Sequence, residues 1–189
     1  VTGVQTCALP IWDSNMKINR TRKLAYTGLC IAIGLLLPQF VKIIPVSNPG
    51  AIFLPMHIPV LICGFLCGFP YGAVCGMILP ILAYALTGRP AIFPTAISMM
   101  FELYAYGALS ALLYRYTKGK IYPTLIGAML GGRIVLGIVN TIFFRFTDKT
   151  YGMVAFISVS FVTALLGIII QIALIPTIIY ALKKSRLMS

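Results

Sequence analysis

The sequence predicts an all-α integral membrane protein, a bundle of about six transmembrane helices with both termini in the cytoplasm. Three observations predict it: the composition, the spacing of the apolar runs and the placement of the basic residues. The chain has 189 residues, of which 60% are hydrophobic and 10% are charged, whereas soluble domains carry about 25% charged residues. A water-soluble fold could not bury this much apolar surface, but a bilayer solvates it.

The lysine and arginine residues are grouped in short clusters between the apolar runs. The net charge of +12 could suggest a nucleic-acid partner, but nucleic-acid-binding domains carry their basic residues on one soluble face. Clusters that flank apolar runs are typical of orientation signals and of contacts with lipid headgroups. We therefore expect membrane lipid, and not nucleic acid, as a partner.

The apolar runs define the predicted spans, and most have the roughly 17–25 residues that a hydrocarbon core requires. They cover residues 24–41, 52–69, 71–86, 91–114, 122–144 and 153–182. The third run is short, and the sixth is long enough to tilt or to protrude.

Glycine and proline residues mark the connections between these runs. Residues 42–50 form the longest loop, after the first run. Gly68-Phe69-Pro70 predicts a tight turn before the third run, and Gly88-Arg89-Pro90 predicts another before the fourth. Lys118-Gly119-Lys120 joins the fourth run to the fifth.

The distribution of basic residues predicts the orientation, because cytoplasmic loops are enriched in them. The side that holds both termini would carry Lys17, Arg20, Arg22, Lys23, Arg115, Lys118, Lys120, Lys183, Lys184 and Arg186. The opposite side would carry Lys42, Arg89, Arg145 and Lys149. Both termini should therefore be cytoplasmic, and the loop at residues 42–50 should be extracellular.

The first residues are not expected to belong to the domain. Residues 1–11, VTGVQTCALPI, resemble the in-frame translation of a sequencing-library adapter and lack the charged segment that begins a signal peptide. Residues 1–15 are therefore interpreted as an artefact or as disordered, with Met16 as the natural start. Residues 16–189 then form a single transmembrane domain.

The few polar residues within the spans are the candidates for function, because an ionised side chain at the centre of a membrane helix costs about 2.5–3.5 kcal/mol. Glu102 lies about 16 Å into the fourth run, and Tyr106 follows one turn later on the same face. We interpret both as substrate-binding residues. The alternative for Glu102 is a structural pairing between helices.

Arg133 lies at comparable depth in the fifth run, directly after Gly131-Gly132, where glycines allow another backbone to come close. It could pair with Glu102, or it could bind the carboxylate of an anionic substrate through two hydrogen bonds. Asn140 follows two turns later on the same face and is a further substrate-binding candidate.

His57 lies between Pro55 and Pro59, which remove backbone donors and predict a broken helix near the outer side. A broken helix at membrane depth is tolerated where protein buries it or where it lines a cavity. His57 is therefore a substrate-binding candidate, with a hydrogen-bonded structural histidine as the alternative. Gln171 is a lesser candidate, on a stripe of small residues in the sixth run.

The sequence predicts no catalytic residues, no metal site and no cofactor. It contains one histidine and three acidic residues, without a metalloprotease, paired-carboxylate or nucleophile–base pattern. Cys30, Cys63, Cys67 and Cys75 lie inside apolar runs and are expected to be free buried thiols.

Residues 53–115, with LPMHIP, FPTA and FEL in that order, resemble the substrate-binding S components of energy-coupling factor (ECF) transporters. The first span and the GGRIVLG run at residues 131–137 fit the same family. The resemblance implies a six-helix protein of the bacterial cell membrane with a vitamin site in its outer half, gated by the first loop. It also implies partners, a transmembrane T subunit and two ATPase subunits.

The resemblance further implies docking through small residues on the first helix, typically Ala-x-x-x-Ala, and the matching positions here are Gly28 and Ala32. Internal packing is the alternative for these two residues. The subgroup that this chain most resembles is assigned to pantothenate, whose carboxylate would suit Arg133. Riboflavin, folate, a pyridine or a pyrimidine vitamin stay open, as do a stand-alone secondary carrier or channel and an intramembrane enzyme.

Overall fold

The computed structural model describes residues 20–43, 45, 49–88, 92–145 and 165–184, and within these residues the regular structure is helical. The helices are α1 (Arg20–Val41), α2 (Pro49–Phe53), α3 (His57–Cys67), α4 (Phe69–Thr87), α5 (Ile97–Tyr116), α6 (Ile121–Arg145) and α7 (Leu165–Lys184). Five of the described helices, α1, α4, α5, α6 and α7, are long and apolar enough to cross a membrane.

Large apolar side chains cover the outside of the described helices. Leu24 is 66% exposed, Leu86 is 69% exposed and Ile134 is 61% exposed, and each belongs to a different helix. Such a surface is unfavourable in water and favourable against lipid tails. The fold is therefore that of an integral membrane helical bundle, as the composition predicts.

The second predicted run differs from a continuous span, because it is divided into α2 and the 11-residue α3. Helix α3 is about 16 Å long and crosses only about half of a hydrocarbon core. Leu54 adopts a positive φ of 48° between the two helices, and Pro55 cannot donate a backbone hydrogen bond there. The N–H of His57 donates to the carbonyl of Leu54 at 3.1 Å and begins α3.

The fourth predicted run also begins differently from the expectation. Regular helix starts at Ile97, and the preceding segment, Ile92–Ala96, is kinked because Phe93 has an extended backbone with φ −115° and ψ 133°. Phe93 precedes a proline, and this position disfavours the helical conformation. Glu102 is therefore the sixth residue of α5, about 8 Å from its first residue.

Glycines allow α4 and α5 to touch through their backbones. A Cβ atom at Gly72 would lie 2.8 Å from the carbonyl oxygen of Gly107, and one at Gly107 would meet the backbone of Gly72. A Cβ at Gly76 would likewise meet the backbone at Leu103. Close contact of this kind replaces side-chain interdigitation by backbone packing, which is common between membrane helices.

The predicted turns at Gly68 and Gly88 are confirmed, since both residues have positive φ, 90° and 66°. The cysteines are also as expected: Cys30, Cys63, Cys67 and Cys75 are free and buried. Some predictions lie outside the described residues, namely the interpretation of residues 1–15, the start at Met16, most of the loop at 42–50 and the sixth run before residue 165. The side of the membrane on which the termini lie stays a prediction.

Candidate functional site

The carboxylate of Glu102 lies between two nitrogen-bearing side chains from other helices. Its Oε1 atom is 3.4 Å from Nε2 of His57 and 3.3 Å from Nη1 of Arg133. Glu102 is 3% exposed, His57 1% and Arg133 5%. Three of the residues that the sequence singles out therefore meet in one buried cluster, which joins α3, α5 and α6.

The position of His57 follows from the break before α3. Because α2 ends at Phe53 and regular helix resumes at His57, His57 is the first residue of α3. From there it faces the first turns of α5, where Glu102 lies. The two prolines thus identify the break correctly, but they do not by themselves indicate that the histidine meets the carboxylate.

Tyr106 lies one turn after Glu102 on α5, and its hydroxyl interacts with the same carboxylate. Its ring contacts the ring of His57 edge-on, with centroids 5.1 Å apart and planes inclined by 68°. On the other side the ring packs against α6, where a Cβ atom at Gly132 would lie 2.7 Å from it. The absence of a side chain at Gly132 therefore leaves space for the ring of Tyr106 next to Arg133. The sequence predicts only that another helix comes close to Gly131-Gly132, and not that Tyr106 does.

The cluster is incompletely hydrogen-bonded. Among the described residues, both ring nitrogens of His57, Oε1 of Glu102 and Nη2 of Arg133 have no hydrogen-bond partner. Each buried polar atom left unpaired costs about 1–3 kcal/mol, and more when the group is charged. The site therefore offers unoccupied donors on Arg133 and His57 to a ligand that brings hydrogen-bond acceptors.

Gln171 contacts the break between α2 and α3, and its role in ligand binding stays a prediction. Its Nε2 atom donates to the backbone carbonyl of Leu54 at 3.5 Å, and its side chain is 1% exposed. Gly167, one turn earlier on α7, lies close to the backbone of Ile52 and Phe53. Helix α7 thus fastens the break between α2 and α3, and through it the position of His57.

Asn140 is not among the residues that meet at Glu102. It lies two turns after Arg133 on α6 and is partly buried. The described contacts therefore leave its predicted role in binding untested.

Gly28 and Ala32 lie on the exposed face of α1. Nothing lies within 4 Å of a Cβ atom built at Gly28, so this residue does not serve packing within the described part of the bundle. Leu24 and Leu36, one turn before and after, are 66% and 57% exposed. The four residues form an outward stripe with small side chains at its centre.

Within the described residues, no group of three or more histidine, cysteine, aspartate or glutamate side chains is placed to hold a metal ion. The cluster at Glu102 offers hydrogen bonding and ion pairing through one carboxylate, one guanidinium, one imidazole and one phenol hydroxyl.

The family model described as "ECF transporter, substrate-specific component" matches residues 22–182. No curated protein and no solved structure matches the chain. The matched region includes every described helix that contributes to the cluster at Glu102. The chain therefore belongs to the substrate-specific components of ECF transporters, which are transporter subunits and not enzymes.

Proposed function

We propose that this chain captures a small water-soluble vitamin at the cluster formed by His57, Glu102, Tyr106 and Arg133. The observation that carries the proposal is a set of buried charged groups, several of whose donor and acceptor atoms have no hydrogen-bond partner among the described residues. A purely structural ion pair would be expected to satisfy these atoms within the protein, because unpaired buried donors are costly. A solute that supplies acceptors explains why they are tolerated.

The donors favour a ligand that carries a carboxylate. Nη2 of Arg133 has no hydrogen-bond partner in the part of the chain that the structure describes, and a guanidinium binds carboxylates with a planar, directional geometry that an ammonium group lacks. Pantothenate is the best candidate, since it is a small acid and its subgroup is the one that the sequence resembles. Asn140 is a further candidate contact for the polar end of such a molecule.

The proposed orientation places both termini in the cytoplasm of a bacterial cell and the loop at residues 42–50 outside. The vitamin enters from the outside, and closure of the loop excludes water, which strengthens the charged contacts. An ATPase-driven partner then reorients the subunit and releases the vitamin inward. In this proposal the partner is a T subunit that docks on the stripe around Gly28 and Ala32 and is driven by two ATPase subunits.

The first experiment identifies the ligand. The protein is purified without added vitamin, and small molecules that are released on denaturation are identified by mass spectrometry. A co-purified vitamin is then tested in a binding assay beside pantothenate, nicotinate, biotin, riboflavin and thiamine. We expect a vitamin acid to bind; absence of binding by every member of this panel would overturn the proposed function.

The second experiment tests the site. Arg133→Ala and Glu102→Ala should both change the Kd of that vitamin, whereas Thr141→Val, an exposed position on the same helix as Arg133, should not. Unchanged affinity in both Arg133→Ala and Glu102→Ala would show that the cluster at Glu102 is not the vitamin-binding site. Uptake by this chain alone in vesicles, without ATP or partners, would instead favour a secondary carrier.

A further inference from the structure

Glu102 and Arg133 form an ion pair with no net charge, and a further anion at the cluster would disturb that balance. The ionised side chains of Glu102 and Arg133 cancel each other across 3.3 Å. A carboxylate that binds to Nη2 of Arg133 brings a second anion next to Glu102. Two carboxylates with one cation in a buried site are strongly unfavourable, because like charges at close range oppose ionisation of both.

His57 is the group that can restore the balance. Its Nε2 faces Oε1 of Glu102 at 3.4 Å, while Nδ1 has no partner among the described residues. In the protonated imidazole both nitrogens donate. Nε2 can therefore donate to the carboxylate of Glu102, while the positive charge of the ring balances the negative charge of the incoming ligand.

No other ionic side chain of the described helices is placed to do this. The titratable groups facing His57 are Glu102 and Tyr106 of α5, and Arg133 of α6 lies across the same carboxylate oxygen. Helices α2, α3 and α4 contain no further aspartate, glutamate, lysine or arginine. The remaining charged residues of α1, α5, α6 and α7 lie in their terminal turns: Arg20, Arg22, Lys23, Arg115, Arg145, Lys183 and Lys184.

We propose that this site binds a monocarboxylate together with a proton, and that the proton resides on His57. The inference rests on the proposed function of the cluster and adds a second bound species to it. The loaded site then holds two anions, Glu102 and the ligand, and two cations, Arg133 and protonated His57. The only bond formed in the protein is the N–H bond on His57, and the buffer acid that donates the proton loses the corresponding bond when the ligand binds.

Calorimetry counts the proton directly. Binding of pantothenate or nicotinate is measured near pH 7.5 in two buffers that differ in ionisation enthalpy, and the difference in binding heat gives the number of protons taken up. The expected uptake is about one proton per acid ligand, and the Kd should then weaken as the pH rises, because binding consumes a proton. The matched neutral molecules, panthenol and nicotinamide, should bind more weakly and without proton uptake.

Two variants locate the proton. His57→Gln keeps a hydrogen-bonding side chain but cannot be protonated, so proton uptake should disappear and the Kd for the acid should rise on the order of tenfold or more. Glu102→Gln removes the first anion, so the acid should then bind without proton uptake. Proton uptake that persists in His57→Gln would show that the proton lies elsewhere and would overturn the assignment.

The outcomes separate this inference from the function on which it rests. Acid binding with no proton uptake in the unmodified protein overturns the inference and leaves vitamin capture intact. Binding restricted to neutral or cationic vitamins also overturns the inference of proton uptake and leaves vitamin capture intact. Absence of binding by every vitamin tested overturns the proposed function, and the inference falls with it.

Discussion

At the scale of single residues, the candidate site is defined by the few ionic side chains within the membrane-spanning helices. Glu102 and Arg133 are both predicted from the sequence as costly residues that need a partner, and the structure pairs them at 3.3 Å. The participation of His57 is a different matter. Its contact with Glu102 depends on where α3 begins relative to α5, which is a tertiary property that no local pattern in the sequence encodes.

The guanidinium of Arg133 gives the first prediction. Arg133→Lys keeps the positive charge but replaces a planar fork by a compact ammonium, so binding of a vitamin acid should weaken by about tenfold, and Arg133→Ala should weaken it further. The Kd is measured by calorimetry at fixed pH. Equal affinity in Arg133→Lys and the unmodified protein would show that only the charge is used.

At the scale of helices, the glycines and prolines predict where helices break, but not which side chains the breaks bring into contact. The proline pair predicts a break, and the break exists between Phe53 and His57. The sequence also singles out Gln171 but does not indicate that its amide donates to the carbonyl of Leu54. A buried glutamine satisfies whatever backbone group is near it, and the partner here is 117 residues away in sequence, beyond the reach of any periodicity argument.

The contact between α5 and α6 gives the second prediction. Gly132→Ala would place a methyl group against the ring of Tyr106, so it should destabilise the fold by about 1–3 kcal/mol and weaken vitamin binding. Gly28→Ala adds the same methyl group where nothing lies within 4 Å, and it should change neither. Thermal unfolding in detergent and the Kd are measured for both variants; identical behaviour of the two would contradict the tight packing of Tyr106.

The contact between α7 and the helix break gives the third prediction. Gln171→Met keeps the size of the side chain but loses the donor to Leu54, so His57 should lose its fixed position and the Kd for the vitamin acid should rise. If Gln171 acts by positioning His57, the same change in a His57→Gln background should have little further effect, because the two residues then act as one unit. Fully additive effects would assign Gln171 a role independent of His57.

At the scale of the whole molecule, the sequence predicts the class of fold well, because lipid imposes it: 60% hydrophobic residues arranged in runs of helical length allow little else. It predicts the arrangement of the helices less well. The kink at Phe93 and the short α3 make two of the predicted spans irregular, and in each case a proline explains the departure.

The outward stripe of α1 gives the fourth prediction. Gly28→Trp and Ala32→Trp should leave vitamin binding by the isolated subunit unchanged, because both residues are exposed on α1, whereas the cluster at Glu102 is built from α3, α5 and α6. Both should abolish ATP-dependent uptake if the partner packs against these small residues. Ile134→Trp, an exposed position of α6, serves as a control for bulk on the lipid-facing surface, and full transport activity in both α1 variants would place the docking face elsewhere.

The backbone-to-backbone crossing of α4 and α5 has a mechanical consequence. With Gly64, Gly72 and Gly107 in mutual contact, α3, α4 and α5 cannot slide past one another without a steric clash, so the imidazole of His57 and the carboxylate of Glu102 lie on one frame. In the proposed function, opening of the vitamin site therefore falls to α6, which carries the guanidinium of Arg133 toward or away from this frame. Spin labels on α4 and α5 should accordingly keep one separation throughout the transport cycle, while labels on α6 change theirs.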